Sequence, residues 1–107
     1  MSRYTTGEGQ YNPPPTTVQA PSSIAGGYVI AYMNGTVVGT DHFNADGTYH
    51  LAGQPEPRWN YTYQPYGSSA ILVLDGDAVM LTFTSQYGGT WTSNNGSGTF
   101  VFSLTAP

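Results

Sequence analysis

From Gly27 onward, apolar and polar side chains alternate with a period of two, the spacing that sends successive residues to opposite faces of a β-strand. Tyr28, Ile30 and Tyr32 share one face, and Asn34-Gly35 behind them is a two-residue hairpin signal. The return strand runs from Thr36 to Phe43. Asn44-Ala45-Asp46-Gly47 has turn chemistry with glycine at the left-handed position, and a strand from Thr48 to Leu51 follows. Two prolines between Gly53 and Pro57 make a loop that cannot pair. Trp59, Tyr61 and Tyr63 then alternate with Arg58, Asn60, Thr62 and Gln64, the cleanest two-faced stretch in the chain. Their spacing makes them the inward face of a strand.

Tyr66-Gly67-Ser68 turns the chain into Ala70-Ile71-Leu72-Val73-Leu74, which is apolar throughout and so expected to be covered on both faces. Asp75-Gly76 predicts a second hairpin. Val79, Leu81 and Phe83 alternate with Met80, Thr82 and Thr84, and Gly88-Gly89 leads into Thr90-Trp91-Thr92. Asn95-Gly96 predicts a third tight turn, after which Phe100, Phe102 and Leu104 take the inward positions of the last strand. No stretch has a helical period.

These segments amount to about eight short strands joined almost entirely by tight turns. Short links force neighbouring strands to pair antiparallel, because a parallel crossover needs a dozen residues or more. The fold class is therefore all-β: an antiparallel meander that closes into a small barrel, with a β-sandwich as the alternative. Closure is favoured because it removes the exposed edges that this chain has no lysine to guard.

Residues 1–23 read differently, as an extended Pro-rich N-terminal arm ahead of a barrel domain at 24–107. Pro13-Pro14-Pro15 fixes φ and lacks N–H donors, which favours a polyproline II course. Such an arm becomes ordered only by docking along its own domain or a neighbour. Tyr4, Tyr11, Pro13, Pro14, Pro15 and Val18 are its candidate contacts, and Thr16-Thr17-Val18-Gln19 is expected to add as an edge strand.

Composition narrows the chemistry. The 107 residues suffice for one domain. There is no cysteine, which excludes a disulfide framework, a thiolate metal site and a cysteine nucleophile. The sequence also lacks lysine, and with it Schiff-base chemistry. Net charge is −4 without a basic cluster, which argues against nucleic acid and anionic membranes as partners. Only 7% of residues are charged, so Thr, Ser, Asn, Gln and Tyr must wet the surface. No apolar run is long enough for a membrane span, and no hydrophobic stretch follows Arg3 to make a signal peptide. The expected location is cytoplasmic, or within a virion or other assembly.

Several segments together resemble a known family. Gly47-Thr48-Tyr49, Trp59-Asn60-Tyr61-Thr62-Tyr63 and Ala70-Ile71-Leu72-Val73-Leu74 form the first half of the pattern. Leu81-Thr82-Phe83-Thr84-Ser85, Gly88-Gly89-Thr90-Trp91 and Gly98-Thr99-Phe100-Val101-Phe102 form the second. The series resembles the small lipocalin-like (calycin-type) β-meander modules of uncharacterised bacterial proteins, over about residues 24–104. That resemblance implies a barrel with an apolar interior, able in some members to hold a small hydrophobic molecule and in a few to act as a cyclase. It transfers no catalytic residue.

The weak catalytic candidates are Asp41 and His50. With Asn44 to Gly47 as a four-residue loop, Phe43 pairs with Thr48 and Asp41 lies opposite His50, where a carboxylate would orient an imidazole as a general base. A one-residue slip removes that pairing. His42 falls on the other face, so the histidines do not converge on a metal. His42-x-Asn44-x-Asp46-Gly47 departs from a calcium loop at its first and twelfth positions, and Asp75-Gly76-Asp77 reads as a hairpin turn. No metal and no cofactor is expected. No nucleophile elbow exists, and the sequons at Asn34, Asn60 and Asn95 carry no weight without a signal peptide.

Tyr66, Tyr87 and Trp91 sit near turns, where exposed aromatics make recognition surfaces, with Asn94 and Asn95 close by in sequence. Three functions follow in order of weight. The first is a non-enzymatic structural or assembly protein, such as a virion decoration subunit, that docks on a protein partner or its own copies through its arm and an aromatic, charge-poor surface. The second is a carbohydrate-binding module built on Tyr66, Tyr87, Trp91, Asn94 and Asn95. The third is a lipocalin-like barrel around a small apolar ligand, which requires a cavity of roughly 300 Å³.

Overall fold

The computed structural model describes residues 18–107. Among the described residues eight strands form: β1 (Tyr28–Met33), β2 (Thr36–Phe43), β3 (Thr48–Leu51), β4 (Trp59–Tyr66), β5 (Ser69–Leu74), β6 (Asp77–Ser85), β7 (Gly88–Ser93) and β8 (Gly96–Ser103). Each pairs antiparallel with the next, and β8 returns to β1 to close the barrel. No helix occurs among the described residues.

The turns explain the strand boundaries. Asn34 (φ 53°) and Gly35 (φ 79°) are both left-handed, as are Asp75 (φ 49°) and Gly76 (φ 91°). Positive φ at both central positions is the mirror-image turn whose twist matches two antiparallel strands. The third turn sits one residue earlier than its sequence suggests. Ser93 pairs with Gly96, so Asn94-Asn95 is the loop and Gly96 already belongs to β8.

The β2–β3 connection is also shorter than expected. Asn44 N–H donates to the Thr48 carbonyl at 2.8 Å, and Gly47 at φ 86° completes a three-residue loop of Ala45, Asp46 and Gly47. Asp46 Oδ1 accepts from both the N–H (3.0 Å) and the hydroxyl (2.6 Å) of Thr48, which locks this loop. The register moves by one: Phe43 pairs with Tyr49, His42 with His50 and Asp41 with Leu51.

One end of the barrel is solid. Phe43, Ala70, Phe83 and Phe102 are buried there, and Phe83 meets Phe100 edge-on at 5.0 Å between centroids. Ile24, 1% exposed, lies in a segment laid across this end. Hydrogen bonds Gly26 N to Phe43 O (2.7 Å), Phe43 N to Gly27 O (2.9 Å) and Ala20 N to Gly67 O (2.9 Å) hold that segment down. The Tyr63 hydroxyl adds a bond to the Pro21 carbonyl at 2.7 Å.

Val18 and Ala20 pack against the core, but neither Val18 nor Gln19 forms a strand, because a closed barrel has no free edge to receive one. Thr16, Thr17 and the other arm contacts expected from sequence (Tyr4, Tyr11, Pro13, Pro14, Pro15) lie outside the described residues.

Along β4, Trp59, Tyr61 and Tyr63 are half-buried and face inward, while Asn60, Thr62 and Gln64 are exposed. Two apolar assignments change. Ile71 is 38% exposed between buried Ala70 and Leu72, because a closed barrel gives each strand a single covered face. Leu104, past the end of β8, is 61% exposed and not inward.

Candidate functional site: the hollow half of the barrel

The opposite half carries short side chains at its inward positions. Ala31 on β1 pairs with Gly39 on β2, and Ser93 on β7 pairs with Gly96. Where phenylalanines fill the closed end, these residues leave a cavity of about 290 Å³. Val29, Leu72, Leu74, Val79, Leu81, Trp91 and Phe100 line it. It opens toward the Asn34-Gly35, Asp75-Gly76 and Asn94-Asn95 turns, through a vestibule that Tyr49 and Asp77 also line. Trp91 is fixed by a hydrogen bond from its Nε1 to the Tyr32 carbonyl at 3.0 Å. That contact needs Gly98, where a Cβ would overlap the Tyr32 carbonyl oxygen and sit 2.9 Å from the indole nitrogen.

Among the described residues, Asp41 is the one ionisable group on the cavity wall. Its cross-strand neighbours are Val29 and Leu51, and no hydrogen bond or ion pair reaches its carboxylate among the described residues. Burial raises its pKa from 3.8 to about 6. Tyr49 is also raised, first by burial and then by the negative charges of Asp41, Asp75 and Asp77. The mouth of the cavity is thus apolar in wall and negative in potential.

The catalytic pair expected from sequence does not form. With the shifted register, Asp41 points into the barrel and His50 out of it. His50 instead faces His42 across the outer surface, with ring centroids 5.1 Å apart, and His42 packs against Tyr28 at 4.3 Å. Burial, then the charge of His50, lowers the His42 pKa. The Asn44 side-chain nitrogen lies 3.1 Å from His50 Nδ1. Among the described residues, no group of three or more His, Asp or Glu side chains is arranged to hold a metal ion.

Of the five aromatic and amide candidates, Trp91 and Asn95 meet on the cavity lining, and the other three do not join them there. Tyr66 and Tyr87 are exposed at the closed end, and the Tyr87 ring stacks on Phe102. Asn94 and Asn95 occupy a turn at the opposite end. Trp91 lines the cavity and is no surface platform. Sequence reasoning missed Ala31, Gly39 and Ser93, whose only signal is small size at inward positions, and misassigned Asp41 for want of the strand register.

No protein-family model, curated protein or solved structure matches the chain.

Proposed function

We propose that this chain is a non-enzymatic binding protein that holds a small apolar molecule in the hollow half of its barrel. The carrying observation is the cavity itself: about 290 Å³, walled by Leu72, Leu74, Val79 and Phe100, and open at one end. A volume of about 150 Å³ lined by aliphatic and aromatic groups already accepts benzene, so this one suits a ligand with a ring and a short chain. The lipocalin-like resemblance points the same way. A cyclase acting through Asp41 and His50 is not proposed, because the sheet separates the two side chains.

Trp91 in the wall makes binding visible by fluorescence. Gly39→Leu is the decisive variant. A Cβ at Gly39 meets only Asp41 Oδ2, at 4.0 Å, so the new side chain enters the void without forcing the backbone. Small alkylbenzenes are expected to shift Trp91 emission saturably in the wild type, and at least tenfold more weakly in Gly39→Leu at equal thermal stability. Equal affinity in both proteins, or no saturable response in either, rejects the reading.

A second reading keeps the assembly function, with a second copy of the chain as partner. It is favoured by Tyr87, Val101 and Leu104, which are 49%, 41% and 61% exposed around one shallow depression at the closed end. Low surface charge reduces the cost of burying such a patch. Sedimentation tests it: a dimer that Val101→Ser/Leu104→Ser dissociates supports it, and a monomer at all concentrations rejects it.

A further inference from the structure

The cavity contains an acid and no base. We propose that its occupant is a small lipophilic amine, held with its ammonium group against the Asp41 carboxylate and its apolar body among Leu72, Leu74, Val79 and Phe100. The proposal rests on the apolar-ligand reading and narrows it to one chemical class.

An ionised carboxylate on an apolar wall has lost much of its hydration, and only an opposite charge or hydrogen-bond donors restore it. Among the described residues the protein supplies neither. The one Arg or Lys side chain among the described residues is Arg58, outside the barrel, 3.6 Å from Asp46 and 3.3 Å from Glu56. A ligand that brings its own cation meets that need, whereas a carboxylic acid would set two like charges together and a hydrocarbon would leave Asp41 unpaired.

The approach to the site has the same sign. Asp77 lines the vestibule, Asp75 stands in the adjoining turn, and the chain as a whole is negative. Potentials of this kind concentrate cations at a cleft. Trp91 lines the cavity and Tyr49 its vestibule, and aromatic rings are the side chains an ammonium or N-methyl group favours nearby.

Three probes of matched size separate the possibilities: 2-phenylethylamine, propylbenzene and 3-phenylpropionate, titrated against Trp91 fluorescence at pH 7.5. The amine is expected to bind at least tenfold more tightly than propylbenzene, and the acid most weakly. Asp41→Asn is expected to abolish the amine's advantage over propylbenzene, with no loss of propylbenzene binding. Lowering the pH to 4.5 removes the advantage in the wild type, since Val29 and Leu51 opposite Asp41 do not titrate and Tyr49 stays neutral. The ranking of the three probes needs no variant, so a folding defect in Asp41→Asn does not rescue the idea. Equal binding of amine and hydrocarbon, or an amine advantage that survives in Asp41→Asn, overturns the inference and leaves the apolar-ligand reading standing. Failure of every probe to bind overturns both.

Discussion

Asp41 resists ionisation in the folded chain, so it links stability to pH. At a pH well below its ordinary value of 3.8 it is protonated in both the folded and unfolded states. As pH rises toward 6, the unfolded chain releases its proton first, and the folded state loses relative stability until the native carboxyl also ionises near pH 6. The pKa displacement corresponds to a cost of roughly 2 kcal/mol after allowance for water at the cavity mouth. Asp41→Asn removes this cost. Its urea midpoint is expected to match the wild type at about pH 3, below the unfolded carboxyl's ordinary value, and to exceed it at pH 7.5, and parallel pH profiles would refute the assignment. Asp46 has the opposite sense. Hydrogen bonds from Thr48 lower its pKa, so its contribution is present above pH 4 and lost at lower pH, outside the Asp41 window.

Gly98 tests a different residue-scale constraint. The space its missing side chain leaves is occupied by the Tyr32 carbonyl and the Trp91 indole. Gly98→Ala must therefore displace β1 or break the indole hydrogen bond, at an expected cost of about 2 kcal/mol or more. A red-shifted Trp91 emission in the folded variant would report the second outcome. Wild-type stability with unchanged emission would show that the contact has slack.

At the scale of elements, the segment that crosses the closed end is part of the core, tied down by backbone hydrogen bonds to Phe43 and Gly67. Ile24 has no periodic partner in sequence, yet it is almost fully buried against the barrel floor. Ile24→Ala is expected to cost about 2–4 kcal/mol in chemical denaturation, the range for emptying a closed aliphatic site, and a loss below 1 kcal/mol would mean the segment is only loosely seated. This element was illegible in the sequence because capping requires one well-placed side chain, not a repeat.

The strands themselves were legible. A closed barrel has one inside and one outside, so Trp59, Tyr61 and Tyr63 must alternate with polar residues, and Asn34-Gly35 and Asp75-Gly76 can hardly do anything except turn. Register was not legible at β2–β3, because a three-residue and a four-residue loop share the letters Asn-Ala-Asp-Gly and differ by one position. That single position exchanges Asp41–His50 for His42–His50 and turns an expected acid/base pair into a lone acid on the cavity wall. The cavity was least legible of all. Ala31, Gly39 and Ser93 make it by what they lack, and small residues at alternate positions resemble ordinary strand filler.

For the molecule as a whole, the decisive property is the contrast between its two ends. Phenylalanines and Ile24 fill one, while the other surrounds about 290 Å³ of apolar space beneath three hairpin tips. Local stability follows the density of buried contacts, so opening must be easier at the hollow end. Amide exchange is therefore expected to be slowest at Phe43, Phe83 and Phe102, whose N–H groups bond to Gly27, Ser68 and Tyr87 carbonyls at the closed end. It is expected to be at least tenfold faster at Ala31, Gly39 and Ser93. A bound ligand stabilises only the states that retain its site. Added amine should then slow exchange at those three positions, and equally at any amide that exchanges through global unfolding, while closed-end amides that exchange through local opening with the site intact stay unchanged. Unchanged exchange at Ala31, Gly39 and Ser93 in saturating amine, or added protection confined to the closed end around Phe43, would place the occupant elsewhere and remove the link between the hollow end and binding.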